Sequence, residues 1–291
     1  MSSETVYAIA SGKGGVGKTT TTVNLGTALA RAGERVAVVD ADLGMANLAG
    51  FVGLNPDSTT LSDVLSERAS VDDATYRLAE NIVAVPSGTD LDDYAETAPE
   101  QLRDVVDELR SQYDAVLLDV GAGITHETVL PLGLADAVVV VSTPEPAAVH
   151  DSTKTLELTE RAGGEAAGLV LTRTRPETDV SYEEIADRLD LPLLGTIPED
   201  PAARESVYAG TPLVVHAPDS PASAAYRRIA ADLAGIDVPN DRPDDGSESD
   251  DRSDAPPAGA QNADADPDAN RDSEAEQDDV SSAITEAESE R

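Results

Sequence analysis

The sequence predicts an α/β fold, a doubly wound, mostly parallel sheet with helices on both faces. Three observations predict it. Seven short runs are rich in β-branched residues and apolar without alternation, which marks strands buried on both faces. Stretches with helical spacing and helical punctuation lie between them. A glycine-rich turn joins the first run to the first helix.

The runs are TVYAIAS (5–11), RVAVVD (35–40), NIVAVPS (81–87), YDAVLLDV (113–120), DAVVVVST (136–143), AGLVLTRT (167–174) and PLLGTIP (192–198). Helices are expected over 19–32, ending at Gly33 as a cap, and over 99–112, opening with Pro99 in the first turn. Two more are expected over 146–162, ending at Gly163 and Gly164, and over 220–234, ending at Gly235. Residues 1–238 are long enough for one such domain. From 239 to 291 Asp, Glu, Ser, Ala, Pro and Asn dominate with almost no large apolar side chains, so this acidic tail is expected to be disordered.

Charge sets the surroundings. The 291 residues carry 57 acidic and 20 basic side chains, a formal net charge of −37. Only 18 of the acidic residues lie in the tail, so the folded part is acidic too. Strong acidity, arginine in place of lysine, one Phe and no Trp or Cys resemble the composition of proteins from halophilic archaea, which work in molar salt. The absence of Cys excludes disulfides, thiolate metal sites and iron–sulfur clusters. No basic leader and no 18-residue apolar run is present, and a cytoplasmic protein is expected.

Only three lysines occur, and two of them, Lys13 and Lys18, stand in SGKGGVGKTT (11–20). Gly12, Lys13, Gly14, Gly15, Val16, Gly17, Lys18 and Thr19 fit G-x-x-x-x-G-K-[ST] between a strand and a helix, the setting that this phosphate-binding loop requires. Its backbone N–H groups and the helix N-terminus would cradle phosphate oxygens, Lys18 would sit on the β- and γ-phosphates, and Thr19 would offer its hydroxyl to Mg²⁺. The fold expected is therefore that of a P-loop NTPase, with Thr20 also in the ATP-binding set.

The general motif does not require Lys13. With it, KGGVGKT matches the deviant Walker A pattern, and here the chain resembles the MinD/ParA family of SIMIBI-class ATPases over about residues 5–235. The resemblance implies ATP and Mg²⁺ as ligands and a homodimer when ATP is bound, in which Lys13 reaches phosphates held by the other subunit. It places Asp40 of VVDADLGMANL (38–48) on a water bound to Mg²⁺, Asp42 on the attacking water, and Asp119 of LLDVGAGI (117–124) at the Walker B position, with Gly121 and Gly123 in a second switch. Carboxylates at strand C-termini face the ligand crevice of an open α/β sheet, which supports the same roles on physical grounds.

Further on, the resemblance implies that Arg173 and the segment Pro198, Glu199, Asp200 border the adenine. It also implies that Asp151 and Ser152 lie on a helix flanking the dimer interface. Gly121 stands where bacterial MinD has proline, which brings the chain nearer to regulators of the FlhG type. His126, His150 and His216 lack metal-ligand spacing.

The expected function is a slow, partner-stimulated ATPase that uses ATP-dependent dimerisation to position a cellular assembly in cell division, motility or chemosensing. A metabolic ligase of the dethiobiotin-synthetase type and a ParA-like DNA-partitioning ATPase are the alternatives. Only Arg227 and Arg228 form a basic pair in the last helix, so nucleic acid is not the expected partner. The acidic tail would be repelled by anionic lipid, so direct membrane binding is not expected without a protein partner.

Lowering salt from molar to about 0.1 M lengthens the screening distance from about 3 Å to about 10 Å. We expect the protein to lose its fold over that change, read by circular dichroism; an unaltered spectrum in dilute buffer would remove the halophilic reading.

Overall fold

The computed structural model describes residues 4–55, 58–89, 97–123, 126–175 and 180–235. The expectation of a disordered tail over 239–291 lies outside the described residues. In chain order the strands are β1 (Thr5–Ala10), β2 (Val36–Ala41), β3 (Tyr76–Ala79), β4 (Ile82–Val85), β5 (Ala115–Val120), β6 (Ala137–Ser142), β7 (Ala166–Thr174) and β8 (Leu193–Pro198). They form one sheet in the order β3-β4-β2-β5-β1-β6-β7-β8, parallel throughout except for the β3–β4 pair.

The helices are α1 (Lys18–Arg31), α2 (Leu48–Phe51), α3 (Leu61–Leu65), α4 (Leu102–Gln112), α5 (His126–Leu134), α6 (Pro146–Ala162), α7 (Tyr182–Arg188), α8 (Pro201–Tyr208), α9 (Leu213–His216) and α10 (Pro221–Ala234). Alternate strand residues feed two cores. Ala8, Ala37, Val39, Val116 and Leu118 pack on one face with Leu102, Val105 and Leu109 of α4 and Ile185 of α7. Ile9, Val36, Val38 and Leu117 pack on the other with Val23, Leu25 and Leu29 of α1 and Ile229 of α10. Every residue of β2 and β5 is buried, as continuous Val, Leu and Ala runs require of central parallel strands.

All seven expected strands and four expected helices form, with local adjustments. Gly163 and Gly235 take left-handed conformations as caps of α6 and α10. The cap of α1 is Ala32, and Gly33 follows it at φ 105°. Pro99 opens a short 3-10 turn that leads into α4.

Strand β3 escapes a search for continuous apolar runs because only alternate residues of YRLA are half-buried, as at a sheet edge. Helices α2, α3 and α9 span four or five residues, too few for a helical period to show. Two others did carry signals. Ser181 accepts from the N–H of Glu184, and Asp200 accepts from the N–H of Ala202, the N-cap chemistry that starts α7 and α8.

Gly26 presses α1 onto the sheet: a Cβ there would lie 2.7 Å from a methyl of Val38 on β2. In an open helix position, losing glycine stabilises by up to about 1 kcal/mol. Here Gly26→Val must displace a stiff β-branched side chain, and an overpacking cost of about 1–3 kcal/mol prevails. A lower urea midpoint with unchanged slope is the expected result.

Candidate functional site

Residues 11–17 carry the chain from β1 into α1 across the C-terminal edge of the sheet, between the ends of β5 and β6. The loop runs hard against α6, since a Cβ on Gly12 would lie 2.1 Å from the carbonyl oxygen of Asp151. Only glycine fits there. Gly17 enters α1 at φ 96°, a conformation that side chains other than glycine rarely take. Helix α1 has neither a side-chain cap nor an acidic residue in its first turn, so its first N–H groups and its positive end face the loop uncontested.

Lys18 is 9% exposed. Burial lowers its pKa, and Asp119 and Asp42 act in the opposite direction, holding the ammonium form. Thr19 Oγ1 donates to Asp119 Oδ2 at 2.5 Å, and the Thr22 hydroxyl is shared between Asp119 Oδ1 at 3.1 Å and the Lys18 carbonyl at 3.0 Å. Asp40 and Asp119 are register partners on β2 and β5, both buried. Burial raises the pKa of Asp40 above the usual carboxylate range, and the neighbouring Asp119 raises it further. Burial raises Asp119 as well, against the bonds from Thr19 and Thr22 and the charge of Lys18.

The carboxylate of Asp40 organises the next loop. Oδ2 accepts from the N–H groups of Asn47 and Leu48, and Oδ1 from that of Asp42. Asp42 accepts from the N–H of Met45 and lies against Gly121, where a Cβ would come within 3.0 Å of its Oδ1. A Cβ at position 121 would require the Asp42 carboxylate to give way by a few tenths of an ångström, so the glycine that departs from the bacterial pattern leaves Asp42 room at the end of β5.

Lys18, Thr19, Asp40, Asp42 and Asp119 are therefore brought together. Lys13 and Gly14 are exposed, and Thr20 lies at the start of α1 with its carbonyl accepting from the Asn24 side chain. Pro198 ends β8, Glu199 pairs with Arg175 at 2.6 Å, and Asp200 caps α8. Arg173 donates to the carbonyl of Gly15 at 2.6 Å, a contact with the loop that the resemblance did not imply. Ser152 turns inward, 1% exposed and bonded to Ser142 Oγ, whereas Asp151 pairs with Lys154.

Sequence reasoning missed Thr22, Thr172 and the Asn47–Leu48 amides. Thr22 carried a signal, since four consecutive threonines at 19–22 are unfavourable helix formers unless their hydroxyls are used. Thr172 donates to the carbonyl of Val16 at 2.6 Å.

The donor set fits a divalent cation. Two buried carboxylates side by side are costly without a positive charge, and the hydroxyl of Thr19 and the Asp119 carboxylate are the hard oxygen donors that Mg²⁺ takes. Both oxygens of Asp40 are engaged by backbone amides, which suits holding a water better than direct ligation. The uncapped helix end, the glycine loop and Lys18 suit a phosphate chain.

The family model for the CobQ/CobB/MinD/ParA nucleotide binding domain matches residues 7–213. An ATP-binding protein of Methanocaldococcus jannaschii is 41% identical over 229 residues, covering 78% of this chain and 87% of that relative. Among solved structures, the septum site-determining protein MinD of Pyrococcus horikoshii complexed with Mg-ADP is 35% identical with a TM-score of 0.75, over 79% of this chain and 95% of that one. The MinC:MinD cell division complex of Aquifex aeolicus matches at 30% identity and a TM-score of 0.72, over 82% of this chain and 98% of that one. The chain belongs to the CobQ/CobB/MinD/ParA nucleotide-binding family.

The raised carboxylates give the metal-free protein a pH dependence. Acids whose folded pKa lies above the unfolded value stabilise the fold while protonated and lose that contribution as pH rises. The window runs from about pH 4, the value of an exposed carboxylate, to about 8, where Asp40 ionises. Thermal melting in EDTA should fall across that window in molar salt, and Asp40→Asn should flatten the slope. An equal slope in the variant would place the titration elsewhere.

Proposed function

We propose that this member of the family is an ATPase that works as a nucleotide-timed dimer switch and positions a cell-division or comparable assembly. The observation that carries the reading is the different surroundings of two lysines in one loop. Lys18 is buried among Asp119 and Asp42, where it serves the nucleotide of its own subunit. Lys13 stands exposed five residues earlier, available to phosphates bound by a second copy.

Hydrolysis transfers the γ-phosphoryl group to water, breaking its bond to the ADP oxygen, and asks the protein mainly for positioning and charge neutralisation. Mg²⁺, when bound, supplies charge neutralisation on the phosphates. Thr19 and Asp119 would hold it, and Asp40 would hold a water beside it. Lys18 neutralises the β- and γ-phosphates, Lys13 those of the partner copy, and Asp42 orients the attacking water. Gly12, Gly14, Gly15, Val16, Gly17 and Thr20 supply the loop and helix-end amides. Pro198, Glu199 and Asp200 border the base, with Arg173 beside them.

The Mg-ADP complex of the Pyrococcus protein supports the ligand, and the MinC:MinD assembly supports a protein partner. Helix α6, which the resemblance sets beside the dimer interface, is the surface we assign to the second copy, with Asp151 packed against the phosphate loop; the burial of Ser152 removes that residue from the contact. No helix among the described residues is long and apolar enough to cross a membrane.

Three variants test the switch. Lys18→Ala should weaken ATP binding itself. Lys13→Ala should bind ATP as a monomer and fail to dimerise or hydrolyse. Asp42→Ala should bind ATP, dimerise and stay dimeric, with hydrolysis reduced by about 10²-fold or more. Light scattering with ATP and phosphate-release kinetics read all three. A Lys13→Ala protein that dimerises normally on ATP would sink the switch, and rapid turnover on a small carboxylic acid would favour a metabolic ligase.

A further inference from the structure

Thr172 and Arg173 are consecutive residues of β7, and on a regular strand their side chains would leave the sheet on opposite faces. Both instead reach the phosphate loop. Thr172 Oγ1, on a residue 4% exposed, donates to the carbonyl of Val16 at 2.6 Å, with the Ser142 carbonyl a longer alternative at 3.2 Å. Arg173 Nη2 donates to the carbonyl of Gly15 at 2.6 Å.

An irregularity in the strand makes this possible. Thr172 is the register partner of Ile197 and Thr174 that of the very next residue, Pro198, so Arg173 is an extra residue bulged out of the ladder. Its φ of +54° lies in the left-handed region that a residue with a Cβ occupies only under constraint.

The two carbonyls belong to successive peptide groups. A peptide is planar and trans, so its C=O and the N–H of the following residue point in opposite directions. Drawing the Gly15 and Val16 carbonyls toward β7 therefore turns the N–H groups of Val16 and Gly17 away from it. Consecutive N–H groups turned to one side are the donors of an anion-binding nest.

We propose that Thr172 and Arg173 are positioning residues for the phosphate loop, fixing the Val16 and Gly17 N–H groups for phosphate oxygens before nucleotide arrives. Preorganisation of this kind removes an ordering cost from binding. The inference rests on the nucleotide reading above and gives Arg173 a task separate from any contact with the base.

Isothermal calorimetry of the full-length chain in molar salt, with Mg-ATP and with base-free tripolyphosphate, tests it. Thr172→Val and Arg173→Gly should each weaken both ligands by about tenfold, the scale of one lost hydrogen bond. Thr172→Ser, which keeps the hydroxyl, should stay within about twofold of wild type. Arg173→Gly should melt close to wild type, because relief of the left-handed backbone offsets the lost bond to Gly15; it therefore carries the test even if Thr172→Val is unstable. Loss of ATP affinity with tripolyphosphate binding intact would make Arg173 a base contact and overturn the proposal. Wild-type affinities in Arg173→Gly and in folded Thr172→Val would overturn it while leaving the nucleotide reading standing, whereas a wild-type chain that binds neither ligand would remove both.

Discussion

Two carboxylates side by side beneath a helix end set the terms for this structure. Asp40 and Asp119 are register partners on central strands whose other residues are all buried and apolar. Leaving them there unpaired would be costly, so the surrounding chain is arranged to compensate. Thr19 and Thr22 of α1 donate to one carboxylate, and the loop over 42–48 folds back to donate to the other. Lys18 brings a positive charge from above. The residue types at these positions follow from electrostatics once the pair is fixed.

That arrangement also ties the loops to one another. Asp40 holds the start of α2 through the Asn47 and Leu48 amides, Asp119 holds the start of α1, and Asp42 rests on Gly121 at the end of β5. A change at the carboxylate pair is therefore felt by three connections at once. The fold beneath them is rigid parallel sheet, so displacement falls on the connections.

Legibility in the sequence followed the strictness of the chemistry. The phosphate loop could be read because its spacing, glycines and lysine are each demanded by a phosphate chain, and Asp40, Asp42 and Asp119 because their segments resemble those of the MinD/ParA family and lie at the C-terminal ends of apolar runs. Central strands were legible through continuous Val and Leu runs. Edge strand β3, with one face open, carried half the pattern and was missed. The contacts of Thr172 and Arg173 with the loop were hidden for another reason. A carbonyl accepts from any donor, and strand periodicity places neighbouring residues on opposite faces, so only the bulge at Arg173 reveals that they converge.

The scarcity of lysine gives the molecule a chemical address. Of the three ammonium side chains, Lys18 is buried against carboxylates and Lys154 pairs with Asp151 on α6. An amine-selective reagent approaching the native surface meets, among side chains, only Lys154 and the exposed Lys13. The scarcity of lysine has thus left the phosphate loop as one of two places where a label, a crosslinker or an acyl group attaches to a lysine, and whatever covers Lys13 can be followed by whether the attachment is blocked.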